Sequence, residues 1–276
     1  MPLRHPRLAL ASLAAFGLLV NVVGAQATMP ADPVPAHDTF TVTSRALGEP
    51  RRINVHLPKS YRATGTGRFP VLYMPDGGLD EDFAHVVNTV DSLIALGAIR
   101  PVIVVGIPNT ERRRDLTGST RFKSDSAIAA HVGGSAAFRR FIRDELFPVM
   151  MARYRTTEER SIVGESLAGL FVVETFLTEP TMFAHYIALD PSLWWNGGAV
   201  VDSALARLTR HPSGARSLYL ASSNVPEIAG GTARVAGLLR GSAPKGLTWE
   251  YAPRPDLTHA TIFRGEGPKA LAIELK

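Results

Sequence analysis

Cysteine is absent from the 276 residues. No disulfide, cysteine-ligated zinc or lipidated N-terminal cysteine is therefore possible, and there is no thiol to misoxidise. Charge of one sign is also scarce. Lys and Arg number 30 against 25 Asp and Glu, a formal net charge of only +5. With aromatics at 8% and no basic stripe with stacking aromatics between its charges, nucleic acid is excluded as a partner. Repeats, low-complexity tracts and linkers are missing after residue 36, so the remainder reads as one domain. Beyond the first residues no apolar run is long enough to span a bilayer.

Apolar residues, in contrast, make up 45% of the chain, enough to build a large core and to argue against disorder. The first segment has the character of an export signal. Arg4, His5 and Arg7 precede the almost wholly apolar Leu8 to Val23, and Ala25 and Ala27 supply the small residues of a cleavage site. The run is shorter than the roughly 20 residues of a membrane span, so cleavage after Ala27 is expected, with a retained anchor as the alternative. Cleavage would leave a periplasmic or secreted protein. Residues 28–37, with their Pro and Ala, read as a flexible lead-in, and residues 38–276 as the folded domain.

Within that domain the hydrophobic period changes once. Thr39–Thr43 and Arg52–Leu57 alternate as a hairpin around the turn Ala46–Pro50. Afterwards short apolar strands alternate with helical spacings. Strands are expected at Phe69–Met74, Val102–Val105, Ser161–Val163, Tyr186–Leu189, Ser217–Ala221 and Leu247–Tyr251. Helices are expected over Phe83–Ile94, Phe138–Leu146, Leu167–Leu177, Thr232–Leu239 and Phe263–Lys276. This order predicts an α/β fold: a mostly parallel sheet with an antiparallel N-terminal hairpin and helices on both faces, as in α/β hydrolases.

Two stretches match the G-x-S-x-G pattern with a small last residue: Gly133 to Ala137 and Gly164 to Ala168. The pattern carries chemistry only where a strand turns sharply into a helix and projects the serine hydroxyl. No strand precedes Ser135, which reads as a helix start. Ser166 follows Ser161-Ile162-Val163 and opens a helix, so it is the candidate nucleophile.

A serine hydroxyl needs a base, and in this fold the order is Ser, acid, His. His185 and His211 precede strands and fall at the sheet end away from the nucleophile. His259 follows the last strand and is the candidate base. The acid is expected at Glu227, the carboxylate of the loop after Ser217–Ala221, with Asp256 or a serine–histidine dyad as alternatives. Oxyanion donors are expected at the backbone N–H of Leu167 and at Gly77, in the glycine turn after Phe69–Met74. Among Arg112, Arg113 and Arg114 on the rim, Arg114 is the candidate for an anionic or catecholate substrate. Of Trp194 and Trp195, Trp195 is the candidate wall of an acyl pocket. Asp76, Asp80 and Asp82 lack calcium-loop spacing and read as a helix start. No metal or cofactor is required.

Val71 to Gly77, Val104 to Thr110, Arg114 to Thr117, Gly164 to Gly169 and Pro191 to Trp195 together resemble the bacterial esterase group of α/β hydrolases that contains enterochelin and related siderophore esterases. The resemblance runs from about residue 38 to the C-terminus. It implies hydrolysis of a siderophore, feruloyl or other acyl ester through an acyl-enzyme on Ser166. It also leaves open an acyltransferase acting on a sugar or alcohol, and a periplasmic binding protein that has lost catalysis. Glu165 stands where histidine is common in the group, and Ala168 where glycine is common.

Overall fold

The computed structural model describes residues 32–63 and 65–276, and the expected signal segment lies outside them. Eight strands form one sheet: β1 (Asp38–Ser44), β2 (Glu49–His56), β3 (Phe69–Pro75), β4 (Ile103–Ile107), β5 (Thr156–Glu165), β6 (His185–Leu189), β7 (Arg216–Ser222) and β8 (Leu247–Pro253). Their spatial order is β1-β2-β4-β3-β5-β6-β7-β8. β1 pairs antiparallel with β2, and β2 antiparallel with β4. Every later pairing is parallel. This is the expected mixed sheet with its N-terminal hairpin, and each expected strand has its counterpart.

The parallel strands are apolar on both sides because both sides are covered. In β3, Val71 and Tyr73 join one buried cluster while Leu72 and Met74 join the other. In β4, Ile103 and Val105 divide from Val104 in the same way. This is the two-residue strand period read out by two cores.

One face is covered by α2 (Phe83–Ala95) and α10 (Ile262–Glu274), which follow the short α1 (Lys59–Ala63) and close the chain, respectively. The other face is covered mainly by helices from the middle of the chain. After the short α3 (Arg112–Leu116) and α4 (Lys123–Ser126), α5 (Ser135–Arg140) runs through a π-helical stretch, Phe141–Leu146, into α6 (Phe147–Arg153). The stretch ends beside Pro148, which has no N–H for the carbonyl four residues back. α7 (Ser166–Thr178), α8 (Trp195–Leu208) and α9 (Pro226–Ser242) complete that layer.

α8 is the long helix that the hydrophobic period does not reveal. Asn196, Gly197 and Gly198 take left-handed backbone angles at its start and interrupt the pattern. Residues 32–37 have no regular secondary structure, yet Asp32 pairs with Arg264 and the Pro33 carbonyl accepts a hydrogen bond from Asn88. No helix among the described residues is long and apolar enough to cross a membrane.

Candidate active site

The site forms where three parallel strands end side by side. Register places Glu165 of β5 beside Leu189 of β6, and Leu189 beside Ala221 of β7. The next residue of each strand therefore meets at the carboxyl edge, the usual ligand-binding edge of an open α/β sheet. Ser166 leaves β5 at φ 58°, and Asp190 leaves β6 at φ 48°. Both lie in the left-handed region that non-glycine residues seldom adopt, and surrounding contacts hold them there. The Ser192 N–H donates to the Ser166 carbonyl at 2.9 Å, and the Asp190 N–H to the Ala221 carbonyl at 2.9 Å.

Close packing explains the small residues of the motif. A Cβ on Gly164 would come within 2.6 Å of the Ala168 backbone, and one on Gly169 within 3.0 Å of Pro191. The first turn of α7 is thereby pressed against the end of its own strand, which projects the Ser166 side chain. Ser135 sits differently. It opens α5, buried, with its N–H donating to the Thr117 carbonyl, and it takes no part in this edge.

His259 comes from the loop between β8 and α10. Thr258 and Thr261 tie the loop internally, and the Asn224 N–H donates to the Leu257 carbonyl at 2.9 Å. The imidazole Nε2 lies 3.1 Å from Ser166 Oγ, and Nδ1 lies 2.6 Å from Asp190 Oδ2. With the Nδ1–H donated to Asp190, Nε2 is left to accept the Ser166 proton. Asp190 is fully buried and also accepts from the Ser223 N–H at 2.6 Å and the Ser223 hydroxyl at 2.7 Å. Burial works against its ionisation, but the hydrogen bonds from His259 and Ser223 outweigh it and hold the carboxyl below the usual range. The hydrogen bond to Asp190, aided by the charge of Glu165, raises the imidazole.

The carboxylate on the imidazole is thus Asp190, which corrects the expectation of Glu227. Glu227 lies in the exposed first turn of α9 and is not among the hydrogen-bonding or ion-pairing partners of His259, which are Ser166, Asp190 and Glu165, while Asp256 pairs with Arg254 in solvent. The loop that carries Glu227 still contributes, through Ser223. The signal for Asp190 was a carboxylate directly after the apolar strand β6. His185 opens β6 at the opposite edge, bonded to Ser217 and Glu159, and His211 bonds the Phe176 carbonyl.

Three further expectations are redistributed. The Leu167 N–H lies in the first turn of α7, where helix geometry supplies no intrahelical acceptor. The Gly77 N–H, by contrast, donates to the Ile107 carbonyl at 3.2 Å, and the Gly78 N–H to Glu81 at 2.6 Å. Gly77 is required there for close approach to Gly106, since a Cβ would come within 2.3 Å of that backbone. Arg114 is engaged by Glu49, Glu111 and Asp115, and it holds the Glu49 carboxyl down at about 2. The arginine of the rim is Arg112, clamped on both oxygens of Asp76 at 2.8 and 2.7 Å, with its charge acting on Glu165 and His259. Trp195 is buried and donates to the Gly118 carbonyl, while Trp194 is 41% exposed.

Glu165 is the other residue of the edge that chemistry had not singled out. Its Oε1 lies 3.3 Å from His259 Nδ1. Donor atoms of Glu165, Asp190 and His259 fall within 4.8 Å of one another, a spacing that would also suit a cation. Asp190, however, already accepts from Ser223 and His259, and the imidazole N–H is directed at it.

The sequence profile of the family described as "Putative esterase" matches residues 44–229. The siderophore triacetylfusarinine C esterase of Aspergillus fumigatus is 30% identical over 188 residues, 63% of this chain and 62% of that protein. The ferri-bacillibactin esterase BesA of Bacillus subtilis is 29% identical over 59% of this chain and 61% of its own. The match thus spans under two thirds of either relative. Among solved structures, an IroE-like serine hydrolase from Shewanella oneidensis superposes with TM-score 0.78 at 27% identity, covering 86% of this chain and 79% of that one. The siderophore hydrolase EstB of Aspergillus nidulans, at 22% identity and TM-score 0.73 over 87% of this chain and 94% of that one, shares the fold.

Proposed function

The chain belongs to the esterase family whose profile it matches, and from that premise we propose that it is a serine esterase cleaving a carboxylic ester through an acyl-enzyme on Ser166. One observation carries the reading: a single imidazole bridges Ser166 Oγ at 3.1 Å and a buried carboxylate at 2.6 Å. That is the geometry of an activated nucleophile, its base and the base's orienting group.

Ser166 Oγ attacks the ester carbonyl as its proton passes to His259 Nε2. Asp190 stabilises the imidazolium that forms, and the Leu167 N–H is placed to donate to the oxyanion. The tetrahedral intermediate collapses, and His259 returns the proton to the departing alkoxide. Water, deprotonated by the same nitrogen, then attacks the acyl carbonyl; as that intermediate collapses to the acid, Nε2 returns the proton to the departing Ser166 Oγ. Acyl transfer to an alcohol in place of water would use the same residues.

Trp194, two residues beyond the Ser192 whose N–H bonds the Ser166 carbonyl, is exposed and supports a small-molecule ester bearing an aromatic or catecholate group. The names of the two siderophore esterases among its relatives support a siderophore-type ester. The signal-like N-terminus, outside the described residues, supports export to the periplasm or beyond.

The test is turnover by purified protein on nitrophenyl, siderophore, feruloyl, acetyl-sugar and short acyl esters. Ser166→Ala should abolish it, and a fluorophosphonate should label Ser166. Turnover that survives Ser166→Ala would overturn the reading. Faster cleavage of feruloyl or acetyl-sugar esters would replace the siderophore assignment.

A further inference from the structure

We propose that Glu165 is a positioning residue for catalysis, a second carboxylate that shares His259 Nδ1 with Asp190 and sets the pH range over which the base works. The inference rests on the reading of Ser166 and His259 given above.

Backbone position puts Glu165 there. As the last residue of β5 and the residue before the nucleophile, it stands in the strand register next to Leu189, one residue ahead of Asp190. Asp190 meets Nδ1 at 2.6 Å along the N–H, while Glu165 Oε1 approaches the same nitrogen at 3.3 Å. His259 is the only hydrogen-bonding or ion-pairing partner of the Glu165 side chain among the described residues, and that side chain is 16% exposed. Solvent reaches it through a small pocket of about 210 Å³ lined by Asp82, Glu165, His259, Ala260, Phe263 and Arg264.

Every charged group facing Glu165 enters the balance. Asp82, just ahead of α2, and Asp190 oppose its ionisation, while Arg112 of α3 and His259 favour it. Arg264 of α10 lines the same pocket and acts on Asp82. Asp76 and Glu81 temper Arg112. Burial is the largest influence and pushes the Glu165 carboxyl up to about 7. Glu165 and His259, each raised above its ordinary value, therefore titrate as a coupled pair. Ionised Glu165 stabilises the imidazolium that forms when Ser166 attacks. It also keeps the resting base protonated to a higher pH.

The experiment is the pH profile of kcat/KM for the wild type and Glu165→Gln, with Ser166→Ala as control. Gln preserves volume and removes the charge. The acid limb should move down by about one pH unit, and the alkaline plateau should fall by up to about tenfold. A side chain that only packs would move neither. An unchanged limb and plateau, with Ser166→Ala inactive, would sink this inference and leave the esterase reading standing. Turnover in Ser166→Ala would sink both. Should Glu165→Gln fail to fold, the ¹⁵N shifts of the His259 ring in the wild type provide the decision. Two titration steps, one of them near pH 7, are expected, and a single step would overturn the proposal.

Discussion

Asp190 is held on three sides before it holds anything itself. Two hydrogen bonds from Ser223 fix the carboxylate, and the left-handed backbone aims it at His259. Asp190→Asn should leave the fold in place but favour the wrong imidazole tautomer. The expected loss in kcat on a nitrophenyl ester is about 10⁴-fold, by analogy with the same change in the Ser-His-Asp template. Glu227→Gln, on the exposed turn of α9, should leave kcat and KM unchanged, and the two variants assayed together separate the structure's acid from the sequence's. The pairing of Ser166 with His259 is readable because strand context and chain order are one-dimensional. The acid depends on which neighbouring strand ends beside β5, a matter of register between segments far apart in sequence. The arginines show the same limit at short range. Arg112 and Arg114 stand two positions apart on one helical turn, about 200° around its axis, so one faces the site and the other faces Glu49. The oxyanion turn fails for another reason, since the partner of the Gly77 N–H, Ile107, lies on a different strand.

At the scale of elements, the junction of β5 and α7 is packed tightly enough to be tested by one methyl group. Gly164→Ala would press its Cβ against the Ala168 carbonyl carbon and oxygen at 2.6 Å. It should cost about 1–3 kcal/mol in denaturant unfolding and lower turnover, because relief of the clash moves Ser166. Gly237→Ala is the opposite case. It lies on the exposed side of α9 with nothing within 4 Å of a new Cβ, and should add about 0.5–1 kcal/mol of stability without changing kcat. The strands that build this junction are legible because each is short, apolar and bounded by turn residues. α8 is less so. Val201, Ala204 and Leu208 are buried at helical spacing, but the left-handed Asn196-Gly197-Gly198 reads as a loop and hides the helix start. The short helices α3 and α4 have too few residues to show a period.

The whole molecule bears a cost for keeping two carboxyls out of water near His259. Burial raises Glu165 from 4.5 to about 7 and Asp82 from 3.8 to about 6. Between those values the folded chain retains protons that the unfolded chain has released, so each group's contribution to stability declines as pH rises through that interval. His259, also raised, acts in the same direction above its ordinary value of 6.5. His85 and His211, lowered chiefly by burial, act in the opposite direction as pH approaches 6.5. Asp190 and Glu49, both lowered, add stability with rising pH only in the acid range below their ordinary values. Glu165→Gln removes the Glu165 contribution and, with the lost charge, part of the rise of His259; both changes act in the same direction, so the difference between variant and wild type reports their sum. Thermal unfolding of both proteins from pH 4.5 to pH 7.5 should show the wild type losing ground steadily against Glu165→Gln. The relative change should be on the order of 3 kcal/mol across the interval, tapering above pH 7. A difference curve flat across those pH values would mean that Glu165 ionises in the fold as freely as in water. A curve of the opposite slope would mean that Arg112 and His259 more than compensate its burial. The expected fall would mean that the fold gives up stability at neutral pH to keep the Glu165 carboxyl buried beside His259.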